Sequence, residues 1–156
     1  MAIARPPARG KLDAKRLQRP DLRALLAVLS AASLTSTRGE ADLRRINSPL
    51  KITEFDVLVA VGVGGPLRPS EISRRASLAP TLTTVSTILR RLERQGLVER
   101  EPHPTIGGGV IVSITPEGQE TLEMLFPEIE RKVISWFGAH FSESELTVLA
   151  DLLERI

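Results

Sequence analysis

Thr83, Thr87, Arg90 and Arg94 follow one another at steps of four, three and four residues, which at about 3.6 residues per turn lines them up along one side of a helix. Hydroxyls near the start of such a line and guanidinium groups further along suit a phosphate-lined groove, where they can bond base edges and grip phosphate oxygens. Thr81 and Thr84 stand at the front of the same stretch, Arg91 falls at its edge, and Arg74 and Arg75 lie on the segment before it. Catalytic chemistry has far less to work with. His103 and His140 are the only histidines, there is no cysteine or tyrosine, and no carboxylate pattern nearby completes a nucleophile or a metal cluster. The expectation is a binding protein with no catalytic residue, no metal and no cofactor. Gly107 to Gly109 lack the Lys-Ser/Thr that ends a phosphate-binding loop. They read instead as a hairpin tip, where Gly107 and Gly108 can bring backbone N–H groups to a phosphate.

The elements that must carry these groups are legible around them. Val85, Ile88, Leu89 and Leu92 occupy the stripe opposite the Thr/Arg line, so the stretch from Thr81 to Gln95 is an amphipathic helix. Thr81 supplies its N-cap oxygen, and Gly96 followed by Leu97 is the sequence of a Schellman close. A shorter helix, about Ser70 to Ala76, precedes it across the turn Leu78-Ala79-Pro80, with Ile72 and Ala76 inward. Two short helices joined by a tight turn form a helix-turn-helix. Leu97 to Glu101 and Val110 to Thr115 then alternate as strands, giving a hairpin, or wing.

Long helices flank this unit. Leu22, Leu25, Leu29, Ala32, Ser36, Gly39, Leu43 and Ile46 alternate steps of three and four, the seam of a helix that packs along another. It is expected over 21–46, with a break at Gly39 as an alternative. Ile52-Thr53 open the next helix, with Thr53 as its cap. Thr115-Pro116-Glu117 start a helix to about 138, kinked at Pro127, along which Leu122, Leu125, Phe126, Ile129, Val133, Trp136 and Phe137 continue the seam. Ser142 with Glu145 forms a capping box for a final helix. Trp136, Phe137 and Phe141 read as core or dimer seam ahead of a ligand crevice.

At 156 residues with 42% hydrophobic content the chain is one domain's worth of soluble protein. No apolar run approaches the ~18 residues of a membrane span, and the start lacks the apolar segment of a secretory signal, so a cytoplasmic, nucleoid-associated protein is expected. The net charge of +2 conceals polarity: residues 1–23 hold seven Lys/Arg against two Asp/Glu, and 114–156 hold three against nine. A polyanion is drawn to the basic side. The division is a basic flexible arm over 1–19 and a single domain over 20–156, with 20–47 and 116–156 as association helices and 53–115 as the winged unit.

The segments Thr53-Glu54-Phe55-Asp56-Val57-Leu58, LERQGLVER (92–100) and VIVSITPEGQETLE (110–123) resemble the multiple-antibiotic-resistance regulator (MarR) family of winged helix-turn-helix transcription factors. The similarity runs over nearly all of 21–156. It implies a mainly α (α+β) fold: a winged helix-turn-helix domain with long N- and C-terminal dimerisation helices. It further implies a homodimer, one recognition helix per subunit in a major groove of double-stranded DNA, and a palindromic operator with half-site centres about 10 base pairs apart. Many relatives release DNA when a small, often aromatic acid binds between their dimer and DNA lobes; whether this chain takes any effector stays open.

This sequence departs from the family at the wing tip, where Thr105-Ile106-Gly107-Gly108-Gly109 stands in place of the usual Asp-x-Arg. The basic arm, with Arg5, Arg9, Lys11, Lys15 and Arg16, is the candidate replacement for the missing charge. The turn from Ser77 to Pro80 is also slightly longer than usual. The alternative reading is a winged-helix protein-interaction module that has lost DNA binding with its wing arginine. Thr81, Thr83, Thr84, Thr87, Arg74, Arg75, Arg90, Arg91, Arg94, Gly107 and Gly108 are the expected DNA-contacting residues, with Thr83, Thr84 and Thr87 on base edges.

Overall fold

A computed structural model describes residues 18–79, 81–103 and 109–155. The expected arm up to residue 17 and the glycines Gly107 and Gly108 lie outside the described residues. In chain order the elements are α1 (Pro20–Arg45), α2 (Ile52–Gly64), α3 (Pro69–Arg75), α4 (Leu82–Arg94), β1 (Val98–Pro102), β2 (Val110–Ile114), α5 (Pro116–Trp136), a 3-10 turn (Gly138–His140) and α6 (Glu143–Leu153). The protein is mostly helical with one small antiparallel sheet, a winged helix-turn-helix as the sequence predicts. Among the described residues no helix is long and apolar enough to cross a membrane.

The chain divides after Thr37 into a small N-terminal unit and a larger one. In the small unit, α1 starts on an Arg19–Asp21 ion pair of 2.8 Å, which with the Leu22 N–H holds the Asp21 carboxyl below its usual range. Its apolar side chains are uncovered, Leu25 at 54% and Leu29 at 56% exposure.

The larger unit holds the core. Val57, Leu58 and Val61 of α2, Ile72 of α3, Val85, Leu89 and Leu92 of α4, and Val112 of β2 are wholly buried. Each such side chain contributes about 1.5–3 kcal/mol relative to exposure. α1 runs through Gly39 without a break, and the reason for glycine is proximity: a Cβ there would sit 2.7 Å from Ile52 Cδ1. After Arg45, Asn47 turns the chain with φ of 54°.

The start of α2 differs from the sequence reading. Lys51, not Thr53, is the N-cap. The first amides are met by acids instead of a hydroxyl: Lys51 N–H donates to Glu54 Oε2 (2.9 Å) and Ile52 N–H to Glu40 Oε2 of α1 (2.9 Å). A carboxylate at a helix N-terminus satisfies free amides and the positive end of the dipole together. Local sequence could not show this, because Glu40 comes from another helix.

In the sheet, Val98 pairs with Ile114, Arg100 with Val112, and Pro102 with Val110. On the far side of β2, Leu67 exchanges backbone bonds with Val112 at 3.0 and 2.9 Å. This one-residue third strand ties the entry of α3 to the wing. Pro127 is accommodated inside a continuous α5. The Ser142 capping box of α6 forms as predicted, with Ser142 N–H on Glu145 Oε2 at 2.8 Å.

Candidate nucleic-acid interface

α4 is held by contacts on three sides. Its start is the Thr81 cap, whose Oγ1 accepts the Thr84 N–H at 3.1 Å. Its end is a complete Schellman close: Leu97 N–H donates to the Leu92 carbonyl (2.9 Å), Gly96 N–H to the Glu93 carbonyl (3.0 Å), and Gly96 takes φ of 74°. Between these, Val85, Ile88, Leu89 and Leu92 are the buried stripe that the periodicity predicts.

The turn before α4 is fixed from α2. The Leu78 N–H donates to Asp56 Oδ2 at 2.7 Å, and Ser77 adds a second backbone bond. Burial pushes the Asp56 carboxyl above its usual range, and the two amide bonds pull against that shift. One half-buried acid of α2 thereby ties down the turn between the two helices of the motif.

The predicted residues separate into groups once their partners are known. Thr83, Thr87, Arg90 and Arg94 share the exposed face of α4. Thr87 Oγ1 donates back to the Thr83 carbonyl (3.1 Å), and Arg94 Nε reaches the Arg90 carbonyl (3.4 Å). The Thr83 hydroxyl and the Arg90 guanidinium are engaged by no other described residue. Thr81 and Thr84 are exposed as well, but their hydroxyls bond each other at 2.7 Å within the cap. Arg74 projects from α3 into solvent.

Arg75 and Arg91 are committed elsewhere. The Arg75 guanidinium lies over Gly64 at the end of α2, in space that any Cβ at position 64 would claim. Arg91 Nε pairs with Glu54 Oε1 at 3.0 Å, on the side of α4 turned toward α2. Residue type groups these two arginines with Arg90 and Arg94 among the expected contacts, and where their guanidinium groups go sets them apart.

Several participants carry little or no mark in the sequence. Glu54 has a signal, since it shares the three- and four-residue steps of Val57, Leu58 and Val61, and an acid on a buried stripe demands a partner. Asp56 has none. Arg68 Nη2 lies 3.1 Å from His103 Nε2, joining the cap of α3 to the end of β1. Leu82, the first residue of α4, is 49% exposed beside Thr83. An apolar side chain there has the chemistry to meet a thymine methyl in a groove.

The two motifs at the end of the unit form one junction. Thr115 Oγ1 accepts the Gly118 N–H (3.0 Å) while donating to the Gly96 carbonyl (2.5 Å), and Thr115 N–H donates to the Leu97 carbonyl (3.1 Å). The glycine closing α4 and the threonine opening α5 thus share a hydroxyl, which sets the direction in which α5 leaves the winged unit.

Comparison with known proteins points the same way. The sequence profile of the MarR family matches residues 48–106. The multiple antibiotic resistance protein MarR of Salmonella typhimurium is 30% identical over 111 residues, 70% of this chain and 76% of that protein. A probable transcriptional regulator from Pseudomonas aeruginosa superposes with a TM-score of 0.61 at 28% identity, over 80% of this chain and 92% of that one. Sco3205, a MarR family transcriptional regulator from Streptomyces coelicolor solved in complex with DNA, superposes with a TM-score of 0.75 at 22% identity, over 92% of this chain and 89% of that one.

Proposed function

The chain belongs to the MarR family of transcriptional regulators, and on that premise we propose that it binds double-stranded DNA sequence-specifically as a homodimer and represses transcription from a palindromic operator. The observation that carries this reading is the line Thr83, Thr87, Arg90 and Arg94, exposed along a helix locked at both ends. α4 lies in the major groove, with Thr83 and Thr87 at base edges and Arg90 and Arg94 on phosphates or guanine. Arg74 on α3 adds a phosphate contact. The arm of residues 1–19 and the backbone of Gly107 and Gly108 are proposed to meet the flanking phosphates or minor groove. The work takes place in the cytoplasm, at the nucleoid.

Dimerisation is assigned to 20–47 and 116–156. Leu25 and Leu29 of α1 and Val148 and Leu152 of α6 are each about half exposed in the single chain, and apolar helix faces of this extent call for a partner. The two-fold pair sets two copies of α4 about one duplex turn apart. Genome fragments captured by the purified protein, followed by footprinting of the tightest fragment, test the reading. The expected footprint is an imperfect inverted repeat with half-sites about 10 base pairs apart. A protein that is monomeric, or that ignores every duplex at low ionic strength, would overturn it in favour of a protein-interaction module.

A further inference from the structure

Leu82 stands seven residues before Leu89, on the same side of α4. Period alone therefore makes it one more layer of the buried stripe. The fold does not cover it: Leu89 is wholly buried, while Leu82 is 49% exposed and lies outside the core cluster. A lone exposed leucine is ordinary on a protein surface, and what sets this one apart is its position. It is the first residue of the helix assigned to the major groove, and residues at the leading end of such a helix are those that reach base edges. The other α-helices begin with Pro20, Ile52, Pro69, Pro116 and Glu143. Of these Ile52 is the aliphatic one, and it packs against the core.

The rest of the leading turn suits a polyanion. α1, α2, α3, α5 and α6 each place an acidic residue in the first turn, and α4 places none, so no carboxylate there repels phosphate. The Thr84 hydroxyl is tied to Thr81 within the cap at 2.7 Å. That leaves the Thr83 hydroxyl and the Leu82 side chain to face a groove. A hydroxyl can donate or accept and bonds the edge of any base pair, so it selects weakly. Leucine can make only an apolar contact, and the C5-methyl of thymine is the one methyl group that bases present in the major groove. We propose that Leu82 is a specificity-determining residue that packs on the 5-methyl group of a thymine in each operator half-site. The inference rests on the operator-binding reading above and adds to it a base and the atom by which that base is read.

The test changes the DNA and leaves the protein intact. In the operator defined by footprinting, thymines are replaced by deoxyuridine one symmetric pair at a time, which removes the methyl group and keeps every hydrogen-bonding group of the base pair. The full-length protein is titrated against each duplex by gel shift. One pair should weaken binding by about fourfold for each half-site, and by about tenfold or more for the two together. In Leu82→Ala the thymine and uracil forms of that operator should bind alike, with an unchanged melting temperature. Should Leu82→Ala fold poorly, the uracil series with the parent protein still decides. Indifference to uracil at every thymine would overturn the assignment. So would a discrimination that persists in Leu82→Ala, because a threonine methyl group would then be reading the base. A protein that binds its operator yet ignores uracil removes only the role of Leu82, whereas one that binds no duplex overturns the operator reading with it.

Discussion

Arg91 Nε lies 3.0 Å from Oε1 of Glu54, whose side chain is 4% exposed, while Oε2 of the same carboxylate accepts the Lys51 N–H at 2.9 Å. One buried acid thus caps α2 and anchors α4 to it. Arg91 is itself 42% exposed on its outer side, so solvent screens part of the attraction. Removing it nevertheless strands a buried charge. Arg91→Ala should cost about 2–3 kcal/mol of stability, below the roughly 3–5 expected of a fully buried pair. Thermal unfolding measures the loss, and a double-mutant cycle with Glu54→Gln should show strong coupling. A stability matching the parent with a large drop in DNA affinity would instead make Arg91 a direct DNA contact.

Arg90 and Arg94 should behave in the opposite way. Their exposed guanidinium groups bond only the helix's own carbonyl or none of the described residues, so alanine at either position should change stability by no more than about 0.5 kcal/mol. Affinity should fall for specific and non-specific duplexes alike, and the slope of log K against log salt should become shallower by about 0.9 for each phosphate that the variant leaves unneutralised. Gel-shift titrations at several salt concentrations check this. An unchanged slope in the double variant would place the arginines away from phosphate.

Asp56 offers a pH test. Burial raises its carboxyl above the ordinary 3.8 in the folded protein, so between those two values the native state binds more protons than the unfolded chain. Its titration therefore favours folding at low pH, and that contribution is lost as pH rises through the raised native value. Comparison with Asp56→Asn subtracts the other groups. The parent's melting temperature relative to the variant should be higher at about pH 4 than at about pH 7. Asp56→Ala, which leaves the Ser77 and Leu78 amides without their acceptor, should cost about 1–3 kcal/mol at neutral pH.

Gly118 and Gly96 should respond differently to alanine. A Cβ at 118 would run into the Leu97 backbone carbonyl, which cannot swing aside as a side chain can. At 96 nothing lies within 4 Å, and the obstacle is only the φ of 74°. Gly96→Ala should cost about 1–2 kcal/mol. Gly118→Ala should cost more, at or beyond the ~3 kcal/mol upper end of overpacking. Urea denaturation of both variants gives the order, and the reverse order would contradict the junction described for Thr115.

How legible a residue's role is in the sequence depends on how far away its partner lies. Where the partner is within a few positions, the sequence was sufficient. The Thr81 cap, the Leu92–Leu97 close, the Thr115 start and the Ser142 box are all satisfied inside one turn, and all form where the residue types indicate. The buried stripe of α4 and the alternation of β2 follow from period alone. Family membership is legible in the same way, through LERQGLVER and the TPEG that follows the wing, because both motifs encode local turns.

Where the partner comes from elsewhere in the chain, composition misled. Thr53 had the right chemistry for a cap, yet the helix starts at Ile52, where Glu54 and Glu40 accept the Lys51 and Ile52 amides. Arg75 and Arg91 stood with Arg90 and Arg94 among the expected DNA contacts by residue type, although neither lies on their line. The sequence by itself determined which segments are helices, where they stop and that one face is polar and basic. Only the tertiary structure decided which of those basic groups remain available to a ligand, because a guanidinium goes to whatever acceptor or opening the fold brings beside it, and folding alone brings α2 against α4.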